Sequence, residues 1–398
     1  MAVVWTSQFL SIMGFAFALP FAAFFLQEEL GVTGGSSLKL WVALFSASTA
    51  LTMAVAAPVW GLLADRYGKR IMLIRANLAG AVVMSGMGAV QTPEMLIVLR
   101  MLQGALTGTM TAAQAFLAGE MPTGRRGLAV GGLSAAVFSG SMAGAMLGGV
   151  TAHWLGYRAA FYASGGLLLA SSLLVLLGTR ETVVPGRRGG AAAAGAVPEA
   201  PGRRGLPSAL FGVLGLIGAV AFVRHFDRPF LPLLVQDIHG RLEGVTLWSG
   251  GLSAWGSVAG LLAGLVTGWL SDHINPLRLV IAAALLAAVF SGWQMGIHAF
   301  AVLFPVRFGT VFCAGALEPA LNAWLAKRIP EQRQGVAFGL AGTTRAIGWA
   351  LSPLLAGLVA AAADVRAVFG AAALGYAGLA GLFVLALRAR RQAATRGP

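Results

Sequence analysis

Gly61-Leu62-Leu63-Ala64-Asp65-Arg66-Tyr67-Gly68-Lys69-Arg70 packs one acid and three bases into a chain that is otherwise almost free of charge, and a degraded copy, Gly268-Trp269-Leu270-Ser271-Asp272-His273, follows half a chain later. Upstream of the first copy, residues 42–64 carry no charge, and the runs 131–152 and 159–178 are equally apolar. Each meets the roughly 18 to 20 residues that a helix needs to cross the hydrocarbon of a bilayer. Composition agrees: 58% of residues are hydrophobic and only 11% charged, with a mean hydropathy of +0.80, whereas soluble domains average about 25% charged. The solvent of this chain is lipid.

Extending the same reading along the chain gives twelve spans, at 4–27, 40–64, 71–91, 95–120, 127–152, 157–179, 208–236, 245–271, 277–297, 299–327, 335–360 and 364–388. A membrane barrel would alternate polar and apolar residues over segments of about ten. These runs are continuous and rich in Ala, Gly and Leu, so an all-α membrane protein is expected, each backbone group paired within its own helix.

Lys and Arg cluster after even-numbered spans: Arg66, Lys69 and Arg70, then Arg125 and Arg126, Arg187, Arg188, Arg203 and Arg204, Lys327 and Arg328, and the tail Arg388, Arg390 and Arg391. Lys39, Arg158, Arg241 and Arg366 fall on the other side. Short basic loops stay cytoplasmic, so both termini are expected in the cytoplasm of a bacterial-type inner membrane, and topology accounts for the net charge of +14 without a nucleic-acid partner. The first span has no basic leader and is followed by further spans, which reads as a retained helix. Cys313, the single cysteine, lies inside a span and reads as a packing thiol.

Residues 180–207 shift abruptly to Gly, Ala, Pro and Arg, the composition of a flexible linker. They divide an N-terminal six-helix bundle, 1–179, from a C-terminal one with a short basic tail, 208–398. The two parts match at an offset of 207 to 209: Pro20 with Pro229, Gln27-Glu28 with Gln236-Asp237, Asp65 with Asp272, Arg100 with Arg307, and Arg158-x-x-Phe161 with Arg366-x-x-Phe369.

Parallel six-span halves, the charged motif after span 2 and an arginine in span 4 together resemble the major facilitator superfamily over essentially the whole chain. Within it the chain is most similar to the MdtG-type multidrug exporters, through Leu19-Pro20-Phe21, Leu30-Gly31-Val32-Thr33-Gly34, Pro58-Val59-Trp60-Gly61 and Phe230-Leu231-Pro232-Leu233. The resemblance implies alternating access, one bundle rocking against the other around a substrate near the midplane. It also implies that Gly61, Asp65, Arg66, Gly68, Lys69 and Arg70, with Asp272 in the second copy, form a cytoplasmic gate latch. In span 5, Gly140-x-x-x-Gly144-Ala145-x-x-Gly148-Gly149 resembles the superfamily's antiporter signature, with Ala145 where that signature has proline; Pro353 stands at the matching place in span 11. The glycines there let helices approach closely.

Charges inside spans are costly and mark function or pairing. Glu318 in span 10 is the first candidate for proton coupling, since burial favours a protonated carboxyl and a neighbouring arginine the ionised form. Arg345 is its expected partner, and a permanent structural pair is the competing reading. Asp227, paired with Arg224 or Arg228, and His225 are further candidates in span 7, as is Glu28 at the outer end of span 1. Arg100 and Arg307 complete the set of charges. Phe24, Phe138, Phe226 and Trp349 are expected to line the substrate cavity, with Gln114 and Asn322 as polar handles.

No phosphate-cradling loop, metal-ligand spacing or nucleophile elbow is present, so neither a cofactor, a metal nor an enzymatic activity is expected. Three classes follow. Proton-coupled export of hydrophobic or cationic small molecules leads, by a protein working as a monomer with small-molecule substrate, protons and lipid as its partners. Proton-coupled or facilitated transport of a polar or anionic metabolite is the alternative, kept open by the paired arginines of spans 4 and 10, and a non-transporting membrane protein is the third.

Overall fold

The computed structural model describes residues 2–108, 113, 126–179, 208–326 and 331–395, which are helical apart from short turns and contain no strand among the described residues. Span 1 runs as Ala2–Ala18 and Ala22–Glu28, joined by a 3₁₀ turn at Leu19–Phe21. Spans 2 to 6 are Gly35–Tyr67, Lys69–Ala89, Pro93–Leu106, Arg126–Leu155 and Tyr157–Gly178. Span 7 repeats the break of span 1: Ser208–Phe226, a 3₁₀ turn at Arg228–Phe230, then Leu231–His239. Spans 8 to 12 are Val245–His273, Pro276–Gln294, Phe300–Ala326, Glu331–Ala362 and Val365–Thr395. Ten of these, as described, are long and apolar enough to cross a membrane. The other two are span 4, described only as far as Thr107-Gly108, and span 7, interrupted at its turn.

Both interruptions have one cause. Pro20 and Pro229 lack the backbone donor of an α-helix and carry a ring that clashes with the preceding turn, so each helix tightens to 3₁₀ there and changes direction. Span 2 runs past its expected end at 64 as far as Tyr67, so the backbone of residues 65–67 is helical, and the whole connection to span 3 is Gly68, at φ +95° and ψ 149°. Only glycine adopts that backbone without strain.

Within the first half, span 1 packs on spans 5 and 6, span 3 on span 6, and span 2 on span 4; within the second, span 7 packs on span 11, and span 9 on spans 10 and 12. The halves meet through two crossings, span 2 with span 11 and span 5 with span 8. The largest apolar core joins them, drawing Leu26, Val42 and Phe45 from one half and Leu234, Val245 and Ala356 from the other. A second core belongs to the second half alone, around Leu277, Leu317 and Phe383. In the first half, serines tie the helices: Ser7 and Ser11 lie 2.8 Å from Ser171, and Ser11 donates to Asn77 Oδ1 at 2.5 Å. Small polar side chains of this kind hold helices together where lipid supplies no hydrophobic drive.

Each half closes the same end with one arginine. Arg158 sits 2.7 Å from Glu29 and donates to the carbonyls of Gly88 and Val90, both at 2.9 Å. Arg366 does the same with Asp237 at 2.7 Å and with Met295 and Ile297 at 3.0 and 2.8 Å. Glu29, rather than Glu28, is therefore the counterpart of Asp237. Glu28 is exposed and accepts a hydrogen bond from the Tyr157 hydroxyl at 3.1 Å, a position at the outer surface.

Candidate functional site

The turn in span 7 carries four of the polar groups that this lipid-embedded chain brings together. Arg224 and His225 end the helix, Asp227 precedes the 3₁₀ turn, and Arg228 begins it. Asp227 pairs with neither Arg224 nor Arg228. Its carboxylate takes a charge-assisted hydrogen bond from Arg307 of span 10, both side chains being almost fully buried. Gln294 of span 9 continues the network, with Oε1 at 3.5 Å from the Arg307 guanidinium and Nε2 donating to Thr310 at 2.8 Å. Spans 7, 9 and 10 are thus bound through one buried ion pair, an arrangement that is strongly destabilised when either partner is lost.

Glu318 lies in a different setting. Arg224 Nη1 stands 2.6 Å from its Oε2, while Arg345, the partner expected from sequence, reaches only to 3.9 Å from Oε1. Arg224 is the closer because it projects from span 7 directly across from span 10, whereas Arg345 approaches from span 11. Oε1 accepts no hydrogen bond, and the side chain keeps 26% of its surface exposed. One oxygen is held by a cation, and the other is itself buried and accepts no hydrogen bond. His225 donates through Nδ1 to Ala221 O at 3.0 Å and faces Arg228 with Nε2 at 3.5 Å; its ring lies 5.2 Å from that of Trp349.

The turns of spans 1 and 7 face each other across a cavity of about 120 Å³. Leu19, Pro20, Ala22 and Ala23 line one side, Pro229, Leu231 and Pro232 the other, with Val42, Phe45, Ser46 and Ser253 closing it and Arg100 and Arg228 supplying its charge. Arg100 donates to Phe45 O at 3.2 Å and to Gln103, and its guanidinium lies over the Phe45 ring at 4.4 Å. Arg100 and Arg307 are therefore equivalent in sequence but not in use, because the position matching Asp227, two residues before the proline, is Ala18.

The expected cavity aromatics fare differently. Phe24 is fully buried and packs beside Tyr157, and Phe226 is buried in the core against Phe222; neither lines the cavity, since both rings point into helix packing. Phe138 is half-buried where spans 5 and 8 cross, next to Gly260, and Trp349 is half-buried beside His225. Gln114 lies outside the described residues, as do the side chains of Asn322, Asp65 and Asp272.

At the cytoplasmic motif, Arg70 donates to Leu176 O at 2.6 Å and to Thr179 Oγ1 at 3.2 Å, tying span 3 to the end of span 6. Arg66 lies 5.4 Å from the Tyr67 ring, and Lys69 opens span 3. The span 5 glycines pack as the motif requires. A Cβ on Gly140 would come 2.6 Å from Phe9 O, and Gly144 and Gly148 press still closer on the span 1 backbone at Met13 and Phe17. Gly149 turns outward to the other half, where a Cβ would lie 2.7 Å from Thr246 O of span 8. Span 11 repeats the pattern, Gly348 against Gly218 O of span 7 and Gly357 against Ala43 of span 2, with Ser352, beside Pro353, donating to Phe222 O at 2.6 Å.

The groups that sequence reasoning missed are Arg228 as a cavity cation, Gln294 and Thr310. Ala18 opposite Asp227 in the repeat was the legible sign that Arg100 and Arg307 would be used differently.

The family model described as Major Facilitator Superfamily matches residues 4–240 and 228–398. A Multidrug resistance protein MdtG of Citrobacter koseri is 32% identical over 377 residues, covering 93% of this chain and 90% of its own, and one of Klebsiella pneumoniae is 33% identical, covering 93% and 89%. Among solved structures, the nucleoside transporter NupG (D323A mutant) aligns with a TM-score of 0.76 at 13% identity, covering 96% of this chain and 98% of that one. A bacterial homolog of the human lysosomal transporter Spinster, in an inward-facing and occupied conformation, aligns at 0.75 and 16%, covering 97% and 96%.

Proposed function

Because the chain belongs to the Major Facilitator Superfamily and is a multi-pass membrane protein, we propose that it is a proton-coupled exporter of structurally varied hydrophobic small molecules. The observation that carries this reading is the similarity, over nine-tenths of both chains, to proteins named for multidrug resistance. The basic residues flanking the even-numbered spans support placing both termini in the cytoplasm of a bacterial inner membrane, with the chain acting as a monomer and no enzymatic activity. Residues 1–179 and 208–398 are the rocking bodies, and 180–207 the tether between them.

Proton coupling rests with Glu318. With Glu318 ionised, Arg224 holds span 10 to span 7. A proton on Glu318 removes the charge that Arg224 and Arg345 both face, so span 11 loses that link to spans 7 and 10, which Asp227 and Arg307 still hold together. Ionic attraction grows as water is excluded, so the same proton is worth more in the closed than in the hydrated state. One charge crossing 100 mV contributes about 2.3 kcal/mol to driving the cycle. Asp227, engaged by Arg307, holds the frame around Glu318.

Reconstituted vesicles with an imposed pH gradient test this, following a lipophilic dye and lumenal pH together. Wild type accumulates dye with counterflow of protons, and Glu318→Gln still binds dye but no longer couples the two. Dye movement that stays proton-linked in Glu318→Gln removes Glu318 from the role, and no dye movement in wild type removes the exporter reading.

A further inference from the structure

A cavity of about 20 Å³ is walled by Arg224 of one ion pair and by Asp227 and Arg307 of the other, with Tyr376 of span 12 beside them. Tyr376 is the largest of the fully buried side chains, 1% exposed, and it makes no hydrogen bond among the described residues. Its hydroxyl lies within Coulombic range of Asp227, Arg224, Arg307 and Arg228. A buried hydroxyl without a partner is costly, and folded proteins leave few of them unanswered. Asp227 and Arg224 are incomplete in the same way. Asp227 is held through Oδ2, and its Oδ1 takes no hydrogen bond among the described residues. Arg224 reaches Glu318 through Nη1, and its Nε is buried without an acceptor. The two residues stand three apart where span 7 ends its first helix, and the backbone of Asp227 is still in the α region, so their side chains share a face.

We propose that this cavity is the second seat of Arg224: when Glu318 takes a proton the guanidinium turns to the Asp227 carboxylate, and Tyr376 keeps that seat open and polar. The proposal rests on the reading of Glu318 as the proton carrier and gives its partner somewhere to go. A cavity of about 10 to 15 Å³ suffices for one water molecule, and a water here has Tyr376 and Asp227 to bond to, so water fills the seat while Glu318 is ionised. A proton on Glu318 leaves Arg224 between Arg345 on one side and Arg228 and Arg307 on the other, with Asp227 as the one carboxylate on the cavity. His225 is turned to Ala221 O and Arg228, and spans 8 and 9, which also pack on span 10, carry no charge in residues 246–271 and 279–294. A buried charge that loses its partner and gains no other is strongly destabilising, so Glu318 takes up a proton only as far as Arg224 is received elsewhere. One guanidinium nitrogen needs about the space of the water it displaces, and the Tyr376 hydroxyl offers it an oxygen beside that of Asp227. Arg307 stays on Oδ2 throughout. Tyr376 touches neither proton nor cargo; it is a positioning residue that acts through Arg224.

The infrared carbonyl band of a protonated carboxylic acid reads this in purified, detergent-solubilised protein with no gradient applied. The part of the band lost in Glu318→Gln belongs to Glu318, and its growth with falling pH gives the midpoint at which Glu318 is half protonated. Tyr376→Phe keeps the ring and its packing and removes only the hydroxyl. With the second seat spoiled, the protonated form of Glu318 loses its compensation, so the midpoint is expected to move to the acid side by about one unit, a tenfold fall in proton affinity. Ala314→Val adds two methyl groups to an apolar wall of the cavity, alters no polar group, and is expected to move the midpoint the same way. The melting temperature of each variant is expected to stay near that of wild type, which separates the shift from a general loosening. Wild-type midpoints in both variants, or a midpoint moved to the alkaline side, overturn the second seat and leave Glu318 as the proton carrier. A wild-type protein in which Glu318 shows no titrating band overturns the seat and the coupling role together. An acid shift in a protein that moves no dye in vesicles upholds the seat and removes the exporter reading alone.

Discussion

Asp227 and Glu318 are both carboxylates held by arginine in the second half, yet their surroundings assign them different tasks. Asp227 and Arg307 are 3% and 6% exposed, and the desolvation of each is offset only by the other. Asp227→Asn therefore leaves a buried guanidinium without its counter-charge, at a cost of about 3 to 5 kcal/mol. The expected result is a sharply lowered melting temperature in detergent, partly recovered in Asp227→Asn/Arg307→Gln, where no charge is left unpaired. Glu318→Gln, at a site with access to water, is expected to lower it by far less. Equal losses in the two single variants would put both acids in one structural class. Glu318 was visible in the sequence because an acid deep in an apolar run has few readings. Its true partner was not, since Arg224 and Arg345 are both at hand along the chain and only the packing of span 7 against span 10 decides between them. Arg307 was likewise seen, but as an equal of Arg100, because the repeat offset aligns the arginines and says nothing of the acid opposite until Ala18 is set beside Asp227.

Among the connections between helices, the halves solve one problem with different residues. Spans 2 and 3 turn on Gly68 and spans 5 and 6 on Gly156, each a single residue at positive φ. At the matching places the second half has Asn275, whose side chain accepts from Leu277 N at 3.0 Å, and Asp364, which accepts from Ala367 N at 2.6 Å. A side-chain cap on a helix N-terminus thus replaces a backbone that only glycine adopts. Gly68→Ala is expected to destabilise the first half by roughly 1 to 3 kcal/mol, the cost of forcing a Cβ into that conformation, whereas Asn275→Ala forfeits a cap worth about 1 kcal/mol. Thermal unfolding of the two variants in one detergent checks the ordering, and a Gly68→Ala protein as stable as wild type would refute it. The spans themselves were legible from their apolar length; the break at Pro20 and Pro229 became visible only in the structure. The end of span 2 was set at 64 because charge begins at residue 65; the helix runs on to Tyr67, and Arg70 turns back to the carbonyl of Leu176 without a loop.

At the scale of the molecule, the glycines record which side is shut. Gly149 meets Thr246 and Gly250 meets Ala145, backbone on backbone, where an added Cβ would come to 2.7 and 2.6 Å. Gly357 closes on Ala43 at the other crossing, so both pairs of helices touch at the ends that the proposed topology places outside. Further along span 8, Gly260 still meets Phe138, while a Cβ on Gly264 or Gly268 would meet no described atom within 4 Å. The halves are therefore joined at those ends. Closing the outer face requires residue 149 to have no side chain, and opening it does not. Gly149→Val is accordingly expected to hold the outer ends apart without unfolding either bundle, while Gly264→Val, meeting nothing, leaves the equilibrium where it was. Spin labels on Trp154→Cys and Leu247→Cys, in a Cys313→Ser background, report the separation of spans 5 and 8 at that face. A distance distribution shifted to longer values by Gly149→Val but not by Gly264→Val is the expected outcome. Unchanged distances in Gly149→Val would mean that the span 5 glycines serve packing alone, and that the seal is made elsewhere.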